Sequence, residues 1–437
     1  MLSLPSAGVA AGVIFGIEAQ ELAFIVGALC VATLLSFVLT PVAIRFAHRA
    51  GAIDEPDSGR RVHRLAIPRG GGLAVAASFI VVGVVATLVN SVSHNVPEGT
   101  VGAQTLAVLF VGVALAAAFG YVDDRWQIRA RWQALSQLVL AALTIAAGVT
   151  ITFIYNPLGF LGEKFGGDEL MFGTQTSQGI DWSHGTFGNL GYVLAVVLTT
   201  IWIVGMINSI NFIDGLDGLS TGIALIASLA LGLLSVSQGQ PLVGLLCAVL
   251  AGALAGFLPW NFHPAKVFTG TTGVVAVGYA LAVLSILGTA KVAVALLVLG
   301  VPVIDTFWII IRRVSNRQSP FTPDRGHFHH RLLDLGLTHR GAVLVIYGIC
   351  IALAILSLVL SGTGLLYAFM GIVVGGGLVL YLLTRRGHNA LDASSYPEDP
   401  PGTDDAATKD TDRGITGRAV AEVPIDERRR HGTRPVR

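Results

Sequence analysis

Apolar residues run along this chain in long blocks separated by polar gaps, with neither the strict alternation of a half-buried strand nor the charged face of a soluble helix. Eleven blocks reach, or nearly reach, the roughly 20 residues that a helix needs to cross ~30 Å of hydrocarbon. They cover approximately residues 21–43, 70–90, 102–121, 133–155, 188–206, 219–237, 241–258, 272–288, 291–311, 341–360 and 363–383. The pattern predicts an all-α polytopic integral membrane protein with about 11 transmembrane helices. Composition agrees: 53% of the 437 residues are hydrophobic and 13% charged, and the mean hydropathy of +0.71 excludes a soluble globule of this length.

Basic residues set the expected orientation, because short loops rich in Lys and Arg stay on the cytoplasmic side. Loops after odd-numbered spans hold Arg45, Arg49, Arg60, Arg61, Arg64, Arg69, Arg125, Arg129, Arg131, Lys266, Arg312, Arg313, Arg317, Arg325, Arg331 and Arg340, whereas the opposite loops hold Lys164 and Lys291. The amino terminus is expected outside and the carboxyl terminus in the cytoplasm. No Lys or Arg precedes Arg45, so the first span lacks the basic start of a cleavable signal and is expected to remain. Residues 1–383 form the expected transmembrane domain, and 384–437, rich in Pro, Gly, Asp and Arg, a disordered cytoplasmic tail. The outward loop 156–187 is expected to form a small hairpin or a re-entrant cap. Cys30, Cys247 and Cys350 fall inside spans and read as packing residues.

The polar gaps carry the candidate chemistry. Asp123-Asp124 closes the third span; adjacent helical positions point about 100° apart, so one carboxylate is expected to bind a metal or accept a proton while its neighbour orients a basic partner such as Arg125 or Arg131. Asn208, Asn211, Asp214 and Asp217 recur at intervals of three and line one stripe if the fifth helix continues past the membrane. Amide and carboxylate oxygens together suit a hard cation such as Mg²⁺; the bland alternative is a loop that caps the sixth helix through Asp217 or Ser220. The segment 259–273 joins Lys266, aromatic residues and a Gly turn ahead of the eighth span, where backbone N–H groups can receive phosphate oxygens and Phe268 can stack on a base. His327, His329, His330 and Arg331 crowd a basic loop; without a nearby Cys they read as substrate or phosphate contacts rather than a structural zinc site. Arg60-Arg-Val-His63 and Pro68-Arg69-Gly-Gly-Gly72 add a flexible basic surface.

Five of these segments, in order, resemble the polyprenyl-phosphate N-acetylhexosamine-1-phosphate transferase family: VHRLAIPRGGGLAV at 62–75, GYVDDRW at 120–126, NSINFIDGLDGLS at 208–220, NFHPAKVFTGTTG at 261–273 and PDRGHFHHRLLDLGL at 323–337. The HFHHRLLDLGL form is similar to the branch that uses UDP-N-acetylglucosamine. The resemblance implies transfer of a sugar-1-phosphate, most simply GlcNAc-1-phosphate, from a UDP-sugar to a polyprenyl phosphate at the cytoplasmic leaflet of a bacterial membrane. It implies Mg²⁺, with Mn²⁺ as the alternative, and release of UMP. On this resemblance Asp123, Asp124, Asp214, His327, His329 and His330 are the catalytic set. Phe268, Lys266, Asn208, Asp217 and Arg331 bind the donor, and Asn211, Asp124 and Thr271 stand at the metal. Thr271 departs from the pattern, since the family carries an Asp, a direct Mg²⁺ ligand, at that place, and Asp214 and Asp217 are the nearest acids to replace it. Membrane lipids are the remaining expected partners, with a homodimer left open and no nucleic acid.

Two other readings compete. A catalytically weakened relative would bind lipid phosphate or nucleotide without turnover, and Thr271 is the feature in its favour. A transporter would place ionisable groups near the bilayer midplane, and Asp305 is the notable one inside a span. For the transferase, direct attack by the lipid phosphate is the expected route and a phosphoryl-Asp123 intermediate its rival.

Overall fold

The computed structural model describes residues 18–54, 66–97, 101–156, 158, 169–176, 179–183, 185–188, 190–287, 291–300, 303–305, 328–360 and 362–394. Twelve described helices follow in order: α1 Ala19–Ala50, α2 Gly72–Ser93, α3 Ala103–Trp126, α4 Ala130–Ala146, α5 Leu190–Ile213, α6 Leu219–Ser237, α7 Pro241–Asn261, α8 Gly270–Ile286, α9 Lys291–Val298, α10 Phe328–Asp334, α11 His339–Val359 and α12 Thr363–Ser394. Among the described residues seven helices, α1, α2, α3, α5, α6, α7 and α11, are long and apolar enough to cross a membrane, and α8 and Thr363–Leu378 of α12 are shorter apolar helices. The chain is therefore a mostly helical, multi-pass membrane protein. Met1–Thr384 make one compact unit. The segment 395–437, most of the expected tail, lies outside the described residues.

The expected fourth span, 133–155, is redrawn. Helix α4 closes at Ala146 after 17 residues, about 25 Å of rise, because Gly148 turns left-handed at φ +79° and the β-branched run Thr150-Ile-Thr152 then favours extended backbone. Phe153–Tyr155 pairs antiparallel with Glu169–Met171, and Thr174–Thr176 pairs antiparallel with Gly179–Asp181. The segment expected to form an outward loop thus carries two short antiparallel strand pairs among its described residues.

Burial separates the inner helices from the lipid-facing ones. In α7, 89% of the apolar window is buried, against 22% in α1 and 28% in α11. Val31, Leu34, Val38 and Val42 of α1 and Leu344, Ile351 and Ile355 of α11 stay exposed, where hydrocarbon chains solvate them as well as protein would. Helix α7 packs between α1 and α6, and α8 between α3 and α5. Because an apolar face gains little by leaving lipid, these contacts rest on close approach and on hydrogen bonds. Tyr279 of α8 supplies one junction: its hydroxyl pairs with Thr144 Oγ1 of α4 at 2.8 Å and donates to the Val108 carbonyl of α3 at 3.2 Å.

Glycine makes the tightest approach. A Cβ at Gly252 would stand 2.3 Å from the Leu29 carbonyl oxygen, and one at Gly256 would stand 2.1 Å from that of Thr33. The two lie one turn apart on α7 and seat α1 against it. Replacing Gly256 by Val therefore forces the helices apart, at a cost of about 1–3 kcal/mol. We expect a lower thermal midpoint in detergent for Gly256→Val than for Gly205→Val, whose added Cβ meets nothing within 4 Å; equal midpoints would contradict the packing.

Candidate active site

Several helix ends meet at one end of the unit: the last turns of α3, α5 and α7 and the first turns of α2, α8 and α11. The centre is where α3 meets α8. Asp123 and Asp124 are both buried, and although they diverge along α3, both carboxylates reach the first turn of α8. Thr271 Oγ1 donates to Asp123 Oδ2 at 2.7 Å, and the Thr271 amide donates to Asp124 Oδ1 at 2.8 Å. Thr272 completes the grip, its amide and hydroxyl donating to Asp124 Oδ2 at 2.9 and 2.6 Å. These are among the amides that a helix start leaves without an intrahelical acceptor, and the helix dipole favours an anion there. The other oxygen of Asp123 accepts from the Ile128 amide at 3.1 Å and from Gln133 Nε2 of α4 at 2.8 Å. Each carboxylate uses three of its roughly four acceptor positions and keeps one.

The approach requires glycine at Gly270. It sits at φ +68°, and a Cβ there would come within 2.5 Å of Asp124 Oδ2. Close packing of Gly120 beneath Thr271 and of Gly72 against Gly273 brings α3 and α2 to the same turn, since a Cβ at either would fall within 2.5 Å of the opposing backbone.

The segment between α1 and α2 joins the centre through its backbone. Phe268 N donates to the Pro68 carbonyl and Gly71 N to the Phe268 carbonyl, both at 3.0 Å. Strands Ile53–Asp54 and Ile67–Pro68 pair antiparallel beside it, and Arg69 bonds Asp54 at 2.5 Å while its charge is felt at Asp124. The basic partners expected for the aspartates, Arg125 and Arg131, instead lie over the rings of Trp126 and Trp132 at 6.0 and 5.6 Å.

The Asn/Asp stripe divides where the helix stops. Helix α5 ends at Ile213, so Asn208 and Asn211 lie on it and Asp214 and Asp217 in the turn that follows. Asn208 donates to Gln137 Oε1 of α4 at 2.7 Å. Asp214 accepts from the Ser220 hydroxyl. Removal from water raises its carboxyl from an ordinary 3.8 to about 7, with Asp124 and Asp217 adding to the rise and Ser220 opposing it. Asp217 is turned away, buried against His263 Nδ1 at 2.7 Å and the Ala265 amide at 3.2 Å. The cap position of α6 is held by Gly218, without a side-chain bond.

The loop between α7 and α8 is shaped by Asn261, whose Nδ2 donates to the Val267 carbonyl at 3.1 Å and whose Oδ1 accepts from Thr221 at 2.7 Å. It presents half-buried Phe268 beside the aspartates, while Lys266 is exposed over Trp260 at 5.1 Å. Arg331 belongs to α10. His327 lies outside the described residues, as do the side chains of His329 and His330. Asp305 accepts from the Phe328 amide at 2.8 Å and so anchors the start of α10. Gln133, Gln137, Thr272 and His339 were not singled out in the sequence; the two glutamines, four apart in an otherwise apolar stretch of α4, were the available signal.

This end can do two things chemically. Asp123, Asp124, Asn211 and Asp214 offer oxygen ligands, the donor set of a hard divalent cation, and burial raises the Asp214 carboxyl, with the neighbouring Asp124 and Asp217 charges adding less. The amides of Thr271 and Thr272 at the start of α8, expected to receive phosphate oxygens, are instead taken up by Asp124, whereas half-buried Phe268 suits a base.

The sequence profile described as Glycosyl transferase family 4 matches residues 106–289. A Bacillus subtilis (strain 168) protein named "Probable undecaprenyl-phosphate N-acetylglucosaminyl 1-phosphate transferase" is 37% identical over 343 residues, 77% of this chain and 85% of that protein. The decaprenyl-phosphate N-acetylglucosaminephosphotransferase of Mycobacterium tuberculosis (strain ATCC 25618 / H37Rv) is 31% identical over 421 residues, 88% of this chain and 96% of the relative. A phospho-N-acetylmuramoyl-pentapeptide-transferase from Geobacillus thermodenitrificans is 30% identical, covering 71% of this chain and 90% of its own.

The Asp214 carboxyl gives a signed test. Between about pH 4 and 7 the folded protein holds a proton at Asp214 that the unfolded chain has lost, so this contribution to stability is full below the unfolded value and disappears as pH rises through the folded one. In cation-free buffer the thermal midpoint is expected to fall across that window, and Asp214→Asn is expected to flatten the fall. An unchanged slope in the variant would acquit Asp214.

Proposed function

Because the chain belongs to glycosyl transferase family 4, we propose that it transfers GlcNAc-1-phosphate from UDP-GlcNAc to a polyprenyl phosphate, giving polyprenyl-diphosphate-GlcNAc and UMP. The relatives' names support this chemistry over a binding-only role or a transporter. The observation that carries it is the meeting of Asp123, Asp124, the Asn211–Asp214 turn and the Phe268–Thr272 turn at one end of an apolar helical unit. A lipid-borne acceptor and a water-soluble donor need such a boundary to meet. The basic loops on that side support a cytoplasmic orientation, in a chain of about eleven spans with its amino terminus outside.

A lipid phosphate oxygen attacks the sugar-bound phosphorus of UDP-GlcNAc; the bond from that phosphorus to the bridging oxygen breaks, and UMP leaves with it. Asp123 orients the acceptor. Its three donors hold the carboxylate in place, which supports direct attack over a phosphoryl-Asp123 intermediate. Phe268 stacks on the uracil, Asp214 stands at the uridine side, and Arg331 with His327, His329 and His330 receives sugar and pyrophosphate oxygens. Asp124, Asn211 and Asp214 would hold Mg²⁺, which when bound neutralises pyrophosphate charge. Thr271 supplies a hydroxyl and an amide to the aspartates instead of a ligand charge.

Purified protein supplied with UDP-GlcNAc, polyprenyl phosphate and Mg²⁺ is expected to release UMP. Asp123→Asn should lower that rate by roughly 10²–10⁴-fold, as loss of a positioned catalytic group does, without unfolding the protein. Full activity in the variant would remove Asp123 from the mechanism. Activity gained only in Thr271→Asp would favour the weakened relative. Labelled phosphate trapped on the protein without acceptor would establish the covalent route.

A further inference from the structure

Helix α11 begins where three polar segments cross. Thr338 caps it, accepting from the Gly341 amide at 3.1 Å, which fixes the backbone of its first residue, His339. His339 Nε2 accepts the backbone amide of Asp217 at 2.9 Å. Its ring stacks on that of His263, with centroids 4.2 Å apart and planes 17° apart, and His263 Nδ1 in turn holds the Asp217 carboxylate. The next residues extend the grip. Arg340 Nε donates to the His263 carbonyl at 3.0 Å, and the Tyr347 hydroxyl donates to the Gly218 carbonyl.

The ligand atoms of Asp217, His263 and His339 lie within 4.8 Å of one another, which raises a metal centre as the first reading. The hydrogen bonds argue otherwise. A ring nitrogen that accepts an amide proton has already committed its lone pair. Two imidazoles stacked nearly parallel also direct their lone pairs along parallel planes, where no single ion satisfies both. The cluster is a clamp.

What the clamp joins gives it a function. The turn after α5 carries Asp214, the loop after α7 carries Phe268, and the arm leading into α11 carries Arg331. These are the three elements assigned above to the nucleotide sugar. Asp123, which orients the acceptor, and its neighbour Asp124 are held on Thr271 and Thr272 by a separate set of bonds. Resting on that reading, we infer that His339 is a positioning residue for the donor: through Asp217 and His263 it sets the spacing between the Asp214 turn and the Phe268 loop.

Two substitutions separate its two contacts. His339→Gln retains a side-chain acceptor for the Asp217 amide, and His339→Phe retains a ring on His263 but no acceptor. UMP release should show KM for UDP-GlcNAc raised about tenfold in His339→Phe, with KM for polyprenyl phosphate within about twofold of wild type, and most of the donor KM restored in His339→Gln. Hydrogen exchange supplies a readout that needs no turnover. Amides 214–219 are expected to exchange faster in His339→Phe and at the wild-type rate in His339→Gln. Unchanged donor KM in His339→Phe, an equal rise in both KM values, or a Gln variant no better than Phe would overturn the inference, as would stoichiometric zinc in the purified wild type. Wild-type protein that exchanges as expected yet releases no UMP would sink the transferase reading and leave the clamp standing.

Discussion

Two carboxylates at the end of one helix occupy the donors at the start of another, and the rest of the polar end is built around that contact. The first amides of α8 need acceptors, and the carboxylates of α3, taken out of water, need donors. Each solves the other's problem. The arrangement works only because Gly270 and Gly120 carry no side chain into the gap, and because residues 271 and 272 can donate. A carboxylate at 271 would face Asp123 as a like charge, whereas the Thr271 hydroxyl bonds it directly. The departure at this position fits a centre that holds together by hydrogen bonding, while burial holds the Asp214 carboxyl above the usual range.

The apolar body and the polar end divide the work. Helices α6 and α7 fill the interior while α1 and α11 turn apolar side chains outward, so the charged groups are kept to helix ends, where the cost of burying them is lower than at mid-depth. Asp305 looked like an exception in the sequence. Its bond to the Phe328 amide makes it an anchor for α10, a role that does not call for transport.

Much of this is legible in the sequence. Long apolar blocks announce helices because a bilayer leaves no other way to satisfy the backbone, and the Gly-flanked Asp and Asn motifs marked the ends that meet. The misreadings have physical causes. A 100° separation along α3 suggested that Asp123 and Asp124 face different partners, yet the first turn of α8 is wide enough to meet both. Equal spacing placed Asp217 beside Asp214, but the helix ends at Ile213 and the turn sends Asp217 toward His263. Helix α4 stops early at a left-handed glycine that hydropathy does not see. His339 was invisible, because what it does depends on two loops more than 70 residues away in the chain.

The proposed chemistry is defined by which bond breaks, and a doubly labelled donor reads that directly. With UDP-GlcNAc carrying ³H in the sugar and ³²P in the sugar-bound phosphate, the purified protein, Mg²⁺ and polyprenyl phosphate should move both labels into the lipid fraction in equal amounts, with UMP left in water. Sugar label reaching the lipid without phosphorus, with UDP released, would contradict the account.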